Sequence, residues 1–206
     1  MADNEKINVR KILKGSAQIF EIAKKSCTTE ENQIVGDRMV YMSAALAGVA
    51  CAVTAKASAA KTGAVLAELG TDCGKFYNGA PINELLFDTN YSIYQMICAD
   101  HDDEKMPPLP DLEQIQAAVA AAIGKPDTKV WNHSVNPYEE LPQIKHAYDT
   151  IVKLVYQMSM TLRELQIAFA HALVMTIRAA YACFPQDVNC IEDAVFTAFF
   201  YAHMDA

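Results

Sequence analysis

From Met39 to Leu69 the chain reads "MVYMSAALAGVACAVTAKASAAKTGAVLAEL", with eleven alanines in 31 residues and no proline. The first proline anywhere in the chain is Pro81, so no residue in this interval blocks a helix through its backbone. Alanine loses no side-chain entropy in a helix and is the best helix former. The stretch is therefore committed to helix before packing is considered. Small residues at Ala44, Gly48, Ala52, Ala55, Ala59, Gly63 and Ala67 make a smooth seam that another helix can approach closely. Met42, Leu46, Val49 and Val53 add a short heptad-like ridge. Thr28 and Glu31 have the spacing of a capping box, and Gly70 is a natural stop. One helix of about forty residues, or two broken near Gly48 or Gly63, fills the interval. The uncharged run Met39–Ala55, bounded by Arg38 and Lys56, is 17 residues long. A spanning helix wants about 20 strongly apolar residues, so no transmembrane segment is expected. The stretch reads as a buried or interface helix.

The same logic places the other elements. Val9, Ile12, Leu13, Ser16, Ala17, Phe20 and Ala23 recur at spacings of three and four, predicting a helix over 4–26 with that stripe inward. Pro81 opens a helix through about Ala99. Asp111 with Gln114 caps another that stops at Gly124. Pro142 opens a second very long helix through about Cys183, and Asn189 with Glu192 caps a last one ending near Met204. The expectation is an all-α fold, an elongated bundle of about six helices built on two long ones. The chain, 1–206, reads as one domain with a Pro-rich acidic hinge at 100–110, "DHDDEKMPPLP", between sub-halves 1–99 and 111–206.

Charge narrows the partners. The net charge is −8, yet residues 1–25 carry six Lys/Arg against Asp3, Glu5 and Glu21. General nucleic-acid binding needs a basic face and is disfavoured. A local RNA groove would require Arg38, Lys56, Lys61, Arg163 and Arg178 to converge. Residues 6–25 form a basic amphipathic segment able to touch an anionic surface or an acidic partner. Six cysteines are scattered without a C-x-x-C pair, and the N-terminus lacks a signal-peptide apolar core, which predicts a cytoplasmic, intracellular protein.

Candidate site residues are few. Gln157, Glu164, His171 and Arg178 fall at intervals of seven in a largely apolar segment, so they share one helix face about 10.5 Å apart. That is too far for a compact catalytic triad. It suits a polar register along a groove or an oligomer seam. No histidine has a Glu three residues before it, which argues against a di-metal carboxylate bundle. The run Asp100–Glu104 has carboxylates that suit a hard cation. It lacks the Gly and distal Glu of an EF-hand, so no metal site is assigned. Phe196, Phe199, Phe200 and Tyr201 sit on more than one face of the last helix and must pack on something. No catalytic residue or cofactor is expected. The reading is a non-enzymatic structural or interaction protein that self-associates, a class that includes coat and filament subunits. Its contacts would use Ala44, Gly48 and Ala52, the 157–178 register, and Phe196, Phe199 and Phe200. The competing reading is a bundle around a small apolar ligand or cofactor, with His171 as its polar handle.

Overall fold

The alanine-rich stretch becomes the central helix of the fold. A computed structural model describes residues 7–28, 36–68, 80–101, 106–131, 134–155, 158–183 and 190–204. In chain order the helices are α1 (Val9–Ser26), α2 (Gly36–Glu68) and the single turn α3 (Ala80–Asn83), which runs on into a π-helical turn (Glu84–Asp88). They continue with α4 (Ile93–Asp100), α5 (Leu112–Ala122), α6 (Pro137–Val155), α7 (Leu162–Cys183) and α8 (Cys190–His203). The fold is all-α, with no strand among the described residues. An isolated antiparallel bridge joins Val130 to Val135.

α2 is continuous over 33 residues, about 50 Å, and passes Gly48 without a break. α1 packs on α7, α7 on α2, α2 on α8, and α8 on α5. The helices from the two sides of the acidic hinge thus interleave, and one buried core runs from Ile12 to Met204. The hinge itself lies back on α4. The Tyr94 hydroxyl donates to the carbonyl of Pro110 (3.0 Å), and His101 Nε2 lies 2.7 Å from that of Pro107. Its residues 102–105 lie outside the described residues.

By length and composition alone, Gly36–Ala57 and Leu162–Ala182 are each long and apolar enough to cross a membrane, a test that buried core helices also pass. Inside this chain their apolar surface is used by the core, with 83% of the first window and 67% of the second buried.

Four expectations need correction. The second long helix is two helices, because Thr161 and Glu164 form a capping box that restarts it. The Glu164 N–H donates to Thr161 Oγ1 (3.2 Å), and the Thr161 N–H donates to Glu164 Oε2 (3.0 Å). Ser159 turns the chain just before, at φ 51°. α6 in turn opens at Pro137 and not at Pro142. Asn136 Oδ1 accepts from the Tyr138 N–H (3.1 Å), its amide donates to Glu139 (2.9 Å), and Pro137 takes the first helical position.

The helix expected over 81–99 is interrupted at Thr89–Ser92. Ser92 recaps it by accepting from the Gln95 N–H (3.4 Å). In α1, finally, the inward stripe is Ile12, Gly15, Ser16, Ile19 and Ala23, while Val9 and Leu13 face outward. The Asp111 cap of α5 is as expected, and Gly124 ends that region at φ 80°. Thr28 is described but Glu31 is not, and Asn189 also lies outside the described residues.

Candidate functional site

The seam at Ala44, Gly48 and Ala52 closes on the chain's own last helix. A Cβ on Gly48 would overlap the carbonyl oxygen of Ala198 and stand 2.9 Å from Tyr201 Cβ. α2 and α8 therefore touch backbone to backbone at Gly48 and Ala198, and only glycine fits. Ala44 and Ala52 are buried with it, as are Phe199 and Phe200 on α8. In this fold those five residues face inward. Phe196 is half-buried, stacked on Phe200 with ring centroids 6.1 Å apart.

The 157–178 register serves as a set of internal ties. Gln157 lies outside the described residues. Glu164, only 4% exposed, accepts the Thr161 N–H and also the N–H of Asn8 (2.8 Å), so one carboxylate holds the starts of α7 and α1. Asn8 itself caps α1 by accepting from the Lys11 N–H (3.2 Å). His171 Nδ1 lies 2.9 Å from Ser16 Oγ on α1. Burial pushes its pKa below the ordinary 6.5; nearby Asp100 opposes that shift and Arg178 adds to it. Arg178 forks onto the Asp100 carboxylate at the end of α4, its Nε 3.1 Å from Oδ2.

Two of the cations named for an RNA groove, Arg163 and Arg178, are engaged within the chain. Arg163 is tied to Gln166 Oε1 and Thr89 Oγ1, both at 2.8 Å, and burial lowers its pKa. Gln166 reaches on to the Cys51 thiol (3.6 Å), which burial pushes up to about 12. A thiol held that far from ionisation is a poor nucleophile. Arg38 is exposed beside Asp37, and the Lys61 side chain lies outside the described residues. Among the described residues no group of His, Cys, Asp and Glu is placed to hold a metal ion.

Two surface features remain. The first is the outer face of α1, where Val9 and Leu13 are 53% and 51% exposed, one turn apart. Arg10 and Lys14 stand beside them, also exposed. α1 holds five Lys/Arg (Arg10, Lys11, Lys14, Lys24, Lys25) against Glu21, a net +4 within a chain of −8. Its first turn is locked in place by Glu164 and by Lys11 Nζ donating to the Ser159 carbonyl (2.8 Å). Leu162, exposed at the start of α7, and Leu154, exposed near the end of α6, flank the same connection.

The second feature is Trp131, the only tryptophan. The paired bonds between Val130 and Val135 (2.8 and 3.1 Å) hold it at φ 52°. That conformation costs a bulky residue about 1–3 kcal/mol. Its indole is a wall shared by two cavities. One, of about 390 Å³, is lined by Asp111, Ile115, Val130, Glu192, Asp193 and Phe196 among others. The other, of about 410 Å³, is lined by Asp37, Arg38, Tyr41, Ser134, Val135 and Glu140. Beneath the indole the hydroxyls of Tyr41 and Tyr201 are 2.6 Å apart, and burial pushes Tyr41 up to about 12. A third, more apolar groove of about 590 Å³ runs between α5, α8 and the π-helical turn, with Phe87, Val119, Ile123, Phe199 and His203 in its walls. His171 lines none of the three.

Sequence reasoning saw the basic charge of residues 6–25 but neither the exposure of Val9 and Leu13 nor the bridge beside Trp131. The α1 face was hidden because Val9 and Leu13 fit the apolar stripe equally well. The hairpin at Trp131 is too short to show alternation. The fold and its surfaces define an all-α protein in which Glu164, Gln166 and Thr176 of the core are spent on internal ties. Comparison with protein families, curated proteins and solved structures finds no match to this chain.

Proposed function

We propose that this chain is a non-enzymatic subunit that associates with further copies of itself through the outer face of α1. One observation carries the reading. Two large aliphatic side chains stand about half exposed between cations on a helix of net +4, in a chain whose remainder is strongly acidic. Apolar groups inside a ring of charge mark an interaction surface, and the charge selects an acidic counterpart. Copies of this chain supply one.

The magnitude sets the class of contact. An 18-residue helix is about 27 Å long and presents a face about 10 Å wide. That footprint falls well short of the roughly 800 Å² per partner of a standard interface. Association through α1 alone is weak and becomes persistent only by repetition, as in a filament or shell. Covering the exposed parts of Val9 and Leu13 contributes about 1 kcal/mol each. Replacing both by Glu therefore weakens association about 30-fold or more. Sedimentation velocity on the wild type and on the Val9→Glu/Leu13→Glu variant measures this directly. Equal sedimentation of the two proteins at every concentration refutes the reading.

A second reading is favoured by the apolar groove of about 590 Å³, within the size range of small-ligand sites. There His203, and not His171, would be the polar handle. Native mass spectrometry separates the two readings, because a ligand-binding bundle carries bound material as a single chain.

A further inference from the structure

The cavity of about 390 Å³ lies beyond α8 and under α5, at the far end of the packing order from α1. Its floor is apolar and aromatic, formed by Ile115, Val130, Trp131 and Phe196. Its rim holds Asp111 and Glu192, opposed by Lys129, and Asp193 lines it more deeply, with Oδ2 buried. The carboxylates come together because two helices start there. Asp111 caps α5, and Glu192 and Asp193 occupy the first turn of α8.

We infer that this cavity is the socket for Arg10 of a second copy, an inference that rests on the self-association reading. Three features agree. A guanidinium stacks on indole and phenyl faces and forks onto carboxylates, which are the two kinds of group this cavity offers. The net charge of the socket is opposite to that of the α1 face. The aliphatic neighbours Val9 and Leu13 would then meet the apolar mouth around Ala118 and Pro110. Plug and socket are different surfaces, so the contact is heterologous. A docked pair keeps one free plug and one free socket, and the assembly grows head to tail into a ring or an open filament.

The test is a mixing experiment on full-length chains, read by light scattering and by the emission of Trp131. Arg10→Glu reverses the plug on an exposed position of α1. Ala118→Lys fills the mouth of the socket with a cation at an exposed α5 position where lysine favours helix. Each variant alone is expected to associate at least about tenfold more weakly than wild type. Mixed in equal amounts they form a discrete two-chain species, because one supplies an intact plug and the other an intact socket. Trp131 emission changes on mixing and not in either variant alone. Glu192→Gln, which keeps the shape and removes one charge, weakens wild-type assembly several-fold. If Ala118→Lys assembles like wild type while Arg10→Glu does not, association through α1 stands and the socket is refuted. If mixing restores nothing, the interface is not heterologous and the socket is again refuted. A wild type that stays a single chain refutes the self-association reading and the socket together.

Discussion

Glu164→Ala tests the architecture at a side chain that ties two helix starts together. The carboxylate is buried and accepts backbone N–H groups from Asn8 and Thr161 at 2.8 and 3.0 Å. A hydrogen bond to a charged group contributes about 1.5–3 kcal/mol, and removing the acceptor leaves part-buried donors unpaired. Two such bonds give an upper range of about 3–6 kcal/mol. Water reaching the exposed N-terminus of α1 recovers part of that, so the expected loss is about 3 kcal/mol. In a chain of this length that lowers the melting temperature by about 6–12 °C. The loss has an address as well as a size. Hydrogen exchange in the first turns of α1 and α7 accelerates before the rest of the fold opens, since both starts hang on one side chain. Thermal unfolding with residue-resolved exchange measures both quantities. A melting shift below about 2 °C, or exchange that accelerates evenly through α2 and α8, refutes the capping account.

Three further outcomes follow from the packing and the buried groups. Gly48→Ala forces a methyl group into the Ala198 carbonyl, which neither backbone can evade cheaply, and costs about 3 kcal/mol or more by denaturant titration. Burial holds the folded-state pKa of His171 below 6.5, so the unfolded chain takes up the proton first. Stability is then full above pH 6.5, falls as pH drops toward the lowered value, and levels off below it; His171→Gln removes that slope in a pH series of unfolding curves. Cys51, with its thiol pushed up to about 12, stays unmodified by iodoacetamide at neutral pH until the chain unfolds, as peptide mass spectrometry will show.

The all-α class was legible because alanine content, proline spacing and apolar periodicity agree over long segments. Helix ends were legible where a cap was sought, as at Asp111 with Gln114. They were missed where an apolar period ran straight across one. Continuous hydrophobicity on either side concealed the box at Thr161 with Glu164, while at Asn136 the later Pro142 drew the helix start five residues too far on. The rotation of α1 was undecidable from periodicity alone, since Val9–Leu13 and Ile12–Ile19 are both spaced like a buried face. Which of them wins depends on α7, far along the chain. Of the register read at Gln157, Glu164, His171 and Arg178, the last three fall within α7. Its partners, Asn8, Ser16 and Asp100, are 78 to 156 positions away and leave no trace in local sequence. The alanine seam posed the question of a partner helix, and within this chain α8 provides it.

The central claim is that the chain associates with itself through oppositely charged surfaces. Light-scattering molar mass of the wild type, measured across a dilution series at low and at high salt, tests it most directly. The account predicts masses above the 22.6 kDa of one chain at high concentration and low salt, falling toward that value as salt screens the α1 cations. A mass of 22.6 kDa at every concentration and every salt level contradicts it.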